Sequence, residues 1–304
     1  MIKVIDKDVL SSDKKHMLKG KLYIPEGKAK GFFHVVHGMT EHIARYDDFM
    51  RQLAEDGYIT FGYDHLGHGR TAKDDGELGF IAHENGWERL VDDVFLYGNA
   101  IRKAMSGDLP FILMGHSMGS FIVRLTAVKY NHYDKLIIMG TGGPNPAAGA
   151  GIGITSVLTK VKGERSRSKL VYKLAFGTYN NRFKDENDKY AWLSNIREVR
   201  DTYRNDRFCN YEFTVSAMEG LIRLNKDSNE KLWFRSLDKD KPVLLVSGSD
   251  DPVGDYGKGV TKVYEMLKAQ GVNVQMKLYE GCRHEILNDN CRDEVIADIL
   301  RFVG

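Results

Sequence analysis

Short apolar runs alternate with longer amphipathic ones along the chain, the pattern of parallel strands covered by helices. Gly31–Val36 and Tyr58–Tyr63 are the first two runs, and each predicts a strand. Between them residues 46–56 read as a helix, closed by Gly57 just past its end. Trp87, Leu90, Val91, Val94, Ile101 and Met105 fall largely on one stripe and predict a long helix. A strand at 111–114, a helix at 118–130 and a strand at 136–139 follow. There the alternation stops. From Pro144 to Arg235 aromatic and charged residues interleave, helical in flavour and without a clear strand. Alternation resumes after Pro242 with a strand at 243–246, then a helix around Val260, Val263, Tyr264 and Leu267 that ends at Gly271. A last strand at 272–279 precedes a final helix carrying Val295, Ile296, Ile299, Leu300 and Val303.

This layout is an α/β fold, a mostly parallel sheet flanked by helices and interrupted once. It divides the chain into a first core segment, 1–143, a helical insertion, 144–235, and a second core segment, 236–304. Met1 to Gly20 is dotted with lysine and aspartate, lacks the apolar core of a secretory signal and yields no predicted element. At 304 residues, 42% hydrophobic and 28% charged, the chain can bury an ordinary core. Its formal charge of +2 gives no bulk attraction for nucleic acid. No stretch approaches the ~18–20 apolar residues of a membrane span. The three cysteines, Cys209, Cys282 and Cys291, are odd in number and lack metal-ligand spacing. Without a disulfide framework, the expectation is a soluble protein of a reducing, cytoplasmic compartment.

Gly115-His116-Ser117-Met118-Gly119 fits G-x-S-x-G, directly after a predicted strand and before a predicted helix. That placement is what the chemistry needs. A serine on a sharp strand-to-helix turn projects its hydroxyl from the sheet edge, and the helix start favours developing negative charge. Ser117 is thus the candidate nucleophile. A serine hydroxyl is weak until a base takes its proton, and in this arrangement the partners follow as acid, then histidine. Only His132 and His284 lie after Ser117, and only His284 lies beyond the resumed sheet, in Gly281-Cys282-Arg283-His284. The acid belongs to the loop after strand 243–246, where Asp250 and Asp251 compete. Asp251 is preferred and Asp250 kept as the alternative, since local sequence does not separate them. His37-Gly38-Met39 follows strand 31–36, where such a fold draws one oxyanion-hole N–H; the residue after the nucleophile supplies the other. The backbone N–H groups of Met39 and Met118 are therefore the expected donors. This chemistry calls for no cofactor and no metal.

These motifs resemble the monoacylglycerol lipase and lysophospholipase branch of the α/β-hydrolases, also labelled serine aminopeptidase S33. The likeness runs over nearly the whole chain, through His37-Gly38-Met39-Thr40-Glu41-His42 with Arg45-Tyr46, Asp64-His65-Leu66-Gly67-His68-Gly69, the Ser117 turn, Asp251-Pro252-Val253 and Gly281 to His284. Counting the family's G-x-x-D-x-V from Gly248 lands on Asp251. Met39 departs from the small residue that relatives often carry, and Arg70-Thr71 from their serine. The resemblance implies a serine hydrolase acting on carboxylic esters, monoacylglycerol or lysophospholipid among them, with an aminopeptidase of the same superfamily as the alternative. It also implies that the insertion is a cap, that Glu41, His42 and Arg45 brace the oxyanion loop, and that His65 and His68 pack structurally rather than hold metal. Lys160, Lys162, Arg165, Arg167, Lys169 and Lys173 stand against one acid, Glu164, at the start of that insertion. Most such runs are solvated helix faces. The other reading is a surface in transient contact with anionic lipid or a phosphate-bearing substrate.

Overall fold

A computed structural model describes residues 1–83, 85–105 and 107–304. Eight strands form one sheet: β1 Lys3–Leu10, β2 Met17–Ile24, β3 Gly31–Val36, β4 Tyr58–Tyr63, β5 Phe111–His116, β6 Lys135–Met139, β7 Val243–Gly248 and β8 Val274–Tyr279. Their spatial order is β1-β2-β4-β3-β5-β6-β7-β8, with β1–β2 and β2–β4 antiparallel and every other pairing parallel. The hairpin of β1 and β2 lies where no element was expected. Its inward residues Leu18 and Leu22 are separated by lysines and glycine, so the apolar alternation is thin.

Central strands bury both faces, as parallel strands covered by helices must. Phe33 and Val35 of β3 pack against Phe49, Met50 and Leu53 of α1 Asp47–Glu55, in a core that also takes Val295, Ile299 and Val303 of α10 Arg292–Val303. Phe32 and Val36 point the other way, into a core shared with α2 Gly86–Ala104, α3 Met118–Tyr130 and α9 Lys258–Ala269. The period of two along β3 is what divides the layers. The helix expected at 46–56 is α1, entered through a 3-10 turn, Ile43–Tyr46.

The chain leaves β6 into five helices, α4 Ala148–Lys162, α5 Lys169–Phe176, α6 Arg197–Asn205, α7 Val215–Ser228 and α8 Lys231–Ser236, before entering β7. The start and end of this excursion meet at Arg124 of α3. Its guanidinium is fully buried, and its partners are neutral: Thr141 Oγ1 at 3.3 Å, Asn229 Oδ1 at 3.0 Å and the Ser228 carbonyl. It lies 4.4 Å from the centre of the Trp233 ring, whose N–H donates to the Arg124 carbonyl. Burial with no carboxylate pulls its pKa down to about 9.

The strand order reverses direction between β4-β3 and β5, and the carboxyl ends of β3 and β5 open there. Such a switch point is where open α/β sheets hold their ligands. The turn after β5 is very tight: a Cβ on Gly119 would sit 2.2 Å from the Val36 carbonyl oxygen, and one on Gly115 would sit 2.2 Å from the Gly119 oxygen. Both obstacles are backbone and cannot move aside. Gly119→Ala should thus cost on the order of 3 kcal/mol. Gly149→Ala, in α4 with nothing within 4 Å of the added carbon, should raise stability by roughly 0.5–1 kcal/mol. Urea unfolding of the two variants gives the comparison, and equal midpoints would contradict it.

Candidate active site

Ser117 stands between β5 and α3 with φ +54° and ψ −120°, a left-handed conformation that costs a non-glycine residue energy. Its N–H is tied to the Met139 carbonyl of β6 at 3.0 Å. The next residue, Met118, opens α3, so its N–H has no acceptor one turn back within the helix. Met39, on the loop after β3, lines the same cavity as Met118 and Ser117.

His284 lies on the loop after β8, buried, with Nδ1 2.9 Å from Asp251 Oδ2. Asp251 is fully buried and its carboxylate is satisfied on both oxygens. Ser247 Oγ donates to Oδ2 at 3.2 Å and the Val253 N–H to Oδ1 at 2.8 Å. Asp250, the alternative acid, points elsewhere. Its Oδ1 is 3.6 Å from Arg182 and the side chain is partly exposed. Adjacent residues of one turn face opposite ways, so only Asp251 meets the imidazole.

The helical insertion at 144–235 reaches this loop directly. The Trp192 carbonyl accepts from the His284 N–H at 3.4 Å, and its indole lies 5.1 Å from the imidazole, centre to centre. Arg283 is anchored in the insertion by Glu186 and by the Ala191 carbonyl at 2.6 Å. On the loop after β3, Thr40 Oγ1 and the Tyr203 hydroxyl are 2.7 Å apart, and His42 Nε2 is 2.8 Å from Asp206. None of Trp192, Tyr203 or Glu186 was singled out by sequence, because a helical stretch without strands offers no positional signal.

Glu41 and Arg45 brace the loop after β3. Glu41 Oε1 accepts the Gly38 N–H at 2.5 Å, and Arg45 joins Glu41 to Glu285. His37, His65 and His68 form a buried cluster of inclined rings beneath the loop, with ring centres 4.2 and 5.2 Å from His37. Their nitrogens serve backbone: His37 Nδ1 donates to the Gly38 carbonyl at 2.8 Å, and its Nε2 accepts the His65 N–H at 3.0 Å. His65 Nε2 donates to the His37 carbonyl and His68 Nδ1 to that of Leu66. Among the described residues His42, Asp206 and Cys209 bring possible metal donors together. Burial pushes the Cys209 thiol well up, and the neighbouring Arg45 cation disfavours a second one. His42 and Asp206 already serve the contact between insertion and core.

The cavity above Ser117 measures about 1090 Å³. Phe121, Ile154, Val171, Leu174, Phe176 and Leu221 line much of it, while Glu41 and Glu285 lie at its base.

The serine aminopeptidase S33 profile matches residues 27–291. The chain belongs to this family. It is 30% identical to human monoglyceride lipase over 266 residues, 86% of this chain and 77% of that one. With the monoacylglycerol lipase of Mycolicibacterium smegmatis it shares 26% over 288 residues, 93% and 91% of the two chains. A thermostable carboxyl esterase from Bacillus coagulans, solved with glycerol, superposes with a TM-score of 0.91 at 28% identity, covering 99% of both chains. The fold is that of the α/β-hydrolases.

The imidazole cluster makes stability acid-sensitive. Burial holds His37 down to about 3 and His68 to about 4, and holds His34 and His65 well below the ordinary value. These rings stay neutral when folded but take a proton near pH ~6.5 when unfolded. Their contribution is therefore complete above about pH 6.5 and is lost as the pH falls toward 4. Each ring costs up to roughly 1.4 kcal/mol per pH unit in that window. Urea midpoints near pH 7.5 and near pH 5 test this, and an unchanged midpoint would contradict it.

Proposed function

We propose that this chain is a carboxylic ester hydrolase in which Ser117, His284 and Asp251 form a catalytic triad and the Met39 and Met118 N–H groups form the oxyanion hole. The observation that carries the reading is the 2.9 Å contact between His284 and a fully buried Asp251, beside a strained Ser117 that opens into an apolar cavity. Ser117 Oγ attacks the ester carbonyl carbon while His284 Nε2 takes its proton. The carbonyl π electrons move onto oxygen, where the two N–H groups stabilise the charge. Collapse expels the alcohol, which receives the proton from His284, and leaves an acyl-serine. Water then attacks the acyl carbon, again with His284 as base, to release the acid and restore the serine. Asp251 keeps the Nδ1–H tautomer and stabilises the imidazolium that forms in each half.

Monoacyl lipids, monoacylglycerol or lysophospholipid, are the proposed substrates, with the insertion at 144–235 as a cap over the acyl chain. An aliphatic chain fits the apolar walls. A peptidase needs a free carboxylate for the substrate amine. Glu41 and Glu285 do not supply one, since both are held by Arg45.

The cap also presents a lipid-facing surface. Ile154, Val157 and Val161 share one face of α4, and Leu170 and Leu174 one face of α5; all five are exposed, Val161 by 74%. Lys160, Lys162, Lys169 and Lys173 flank them. Apolar side chains set among lysines suit an anionic bilayer, which supplies both the substrate and the counter-charge. Arg165 and Arg167 of the basic run are otherwise engaged. Arg165 stacks on Phe80 at 3.8 Å, and Arg167 donates to the Glu212 and Leu78 carbonyls.

Ser117→Ala should abolish p-nitrophenyl ester hydrolysis. Asp251→Asn should lower kcat by about 10⁴, as amide substitution does in the best-studied triad, while Asp250→Asn stays near wild type. Equal losses at 250 and 251 would remove Asp251 from the triad. With each buried methylene worth ~0.8 kcal/mol, kcat/KM should climb about fourfold per carbon over short acyl chains. Aminoacyl-anilides that outperform every ester would make the protein a peptidase. Val157→Asp with Leu170→Asp, both exposed and off the cavity wall, should release the protein from phosphatidylglycerol vesicles in a flotation assay but spare turnover of a soluble butyrate ester. Unchanged flotation would end the lipid-surface reading.

A further inference from the structure

Behind the Ser117 turn four ionisable side chains are packed away from water. Glu41 and Glu285 are both buried, and only the Arg45 guanidinium lies between them. Arg45 donates to Glu41 at 3.0 Å and to both oxygens of Glu285 at 2.7 and 2.6 Å. One guanidinium balances one carboxylate. If the fourth side chain, His116, were neutral, the group would carry an unbalanced negative charge in the interior, a costly arrangement.

The surroundings of His116 are those of a cation. Its Nδ1 is 3.2 Å from Glu41 Oε1, and its Nε2 is 3.2 Å from the His284 carbonyl oxygen, which can only accept. The Tyr46 hydroxyl, 2.9 Å from both Glu41 Oε1 and His116 Nδ1, donates to the carboxylate. The remaining titratable neighbours are Glu285 and the His284 ring, whose centre is 4.7 Å away. Asp206, out beyond Arg45, is taken by His42. Burial pulls the His116 imidazole toward neutrality, but the hydrogen bond and field of Glu41, joined by Glu285, outweigh it and raise its proton affinity. Burial likewise opposes the Glu41 charge, yet His116 and Arg45 hold that carboxyl well below its usual range.

We propose that His116 is an imidazolium at neutral pH that closes the charge of the Glu41–Arg45–Glu285 group and serves as a positioning residue for the base. It holds the His284 backbone through the carbonyl, 3.2 Å from its Nε2. Ser117 therefore faces a ring whose main chain is fixed from behind. The kinetic half of this inference rests on the triad reading; the charge state does not.

Nitrogen-15 spectra of histidine-labelled protein read the charge directly, with the His116 signals assigned by their loss in His116→Asn, or by their hydrogen-bond couplings if that variant does not fold. Both ring nitrogens of His116 should be protonated at pH ~7.5. A neutral tautomer there overturns the proposal. In steady-state kinetics on p-nitrophenyl butyrate, His116→Asn keeps a donor but removes the charge. It should lower kcat on the order of tenfold with KM near unchanged, because the base is misplaced while the cavity is not. Glu41→Gln should lower kcat in the same way, and adding His116→Asn to Glu41→Gln should add no further loss, because the ring has already lost the partner that charges it. An unchanged kcat, or a loss carried by KM alone, would reduce His116 to packing and overturn the positioning role. Failure of the unaltered protein to hydrolyse any ester would sink the triad reading instead, and the spectra would still decide the charge.

Discussion

Two carboxylates share one guanidinium behind Ser117, and most of the site's geometry follows from that constraint. Glu41 belongs to the loop after β3, His116 to the end of β5, and Glu285 to the loop after β8. Each comes from a different strand end, and their hydrogen bonds draw the three loops to a common point. The Gly38 N–H ends on Glu41, which fixes the peptide just before Met39. The His284 carbonyl faces His116, which fixes the backbone behind the base. Buried charges are acceptable only when every one is paired, so a displacement in any loop is felt by the other two. Preorganised donors and a fixed base are what an acyl-transfer site needs, since reorganisation at the moment of reaction is paid in rate.

The parts legible in the sequence are those whose signal is local. Strands β3 to β7 announce themselves because both faces are buried and each run is continuously apolar. The Ser117 turn is legible because two backbones come within contact of each other and only glycine fits. His284 is legible by chain order alone. The acid is harder. Asp250 and Asp251 are identical in type and adjacent, and what separates them is that one side chain turns toward Ser247 and His284 while the other turns to solvent. That difference lives in the dihedrals of the turn, which the amino-acid types do not record; the family motif, not the local residues, favoured Asp251. The hairpin of β1 and β2 escapes for the opposite reason. It is an edge ribbon with one solvated face, and its lysines and aspartates hide the few inward residues. The last strand begins at Val274 rather than 272, within the scatter of any boundary read from composition.

Less legible still is how the cap is held. Three of its attachments are polar pairs between residues distant in sequence: Arg283 with Glu186, His42 with Asp206, and Thr40 with Tyr203. Each needs two positions at once, and neither partner stands out alone. The basic run from Lys160 to Lys173 shows the converse. Read as composition it is a single feature, yet the structure divides it, with Arg165 and Arg167 turned onto the core and the lysines beside exposed aliphatic side chains. An arginine's planar fork and delocalised charge suit stacking and carbonyl contacts, whereas a lysine's compact charge stays hydrated. The side-chain chemistry therefore sorts the run into anchors and a surface.

These attachments are unevenly distributed. Trp192, Tyr203, Glu186 and Asp206 tie one side of the cap to the loops that carry His284 and the oxyanion residues, and Arg124 holds both ends of the excursion to the helix that starts at Ser117. On the other side, α4 contains Gly149, Gly151 and Gly153 and turns its aliphatic residues outward. Glycine in a helix interior lowers its stability, by roughly 0.5–1 kcal/mol relative to alanine at each position. The segment with the weakest intrinsic helix is thus the one that presents apolar surface at the cavity mouth, while the segments that touch the base and the oxyanion loop are pinned by hydrogen bonds. Low local stability is where a protein can yield to a ligand or a bilayer without disturbing what lies beneath.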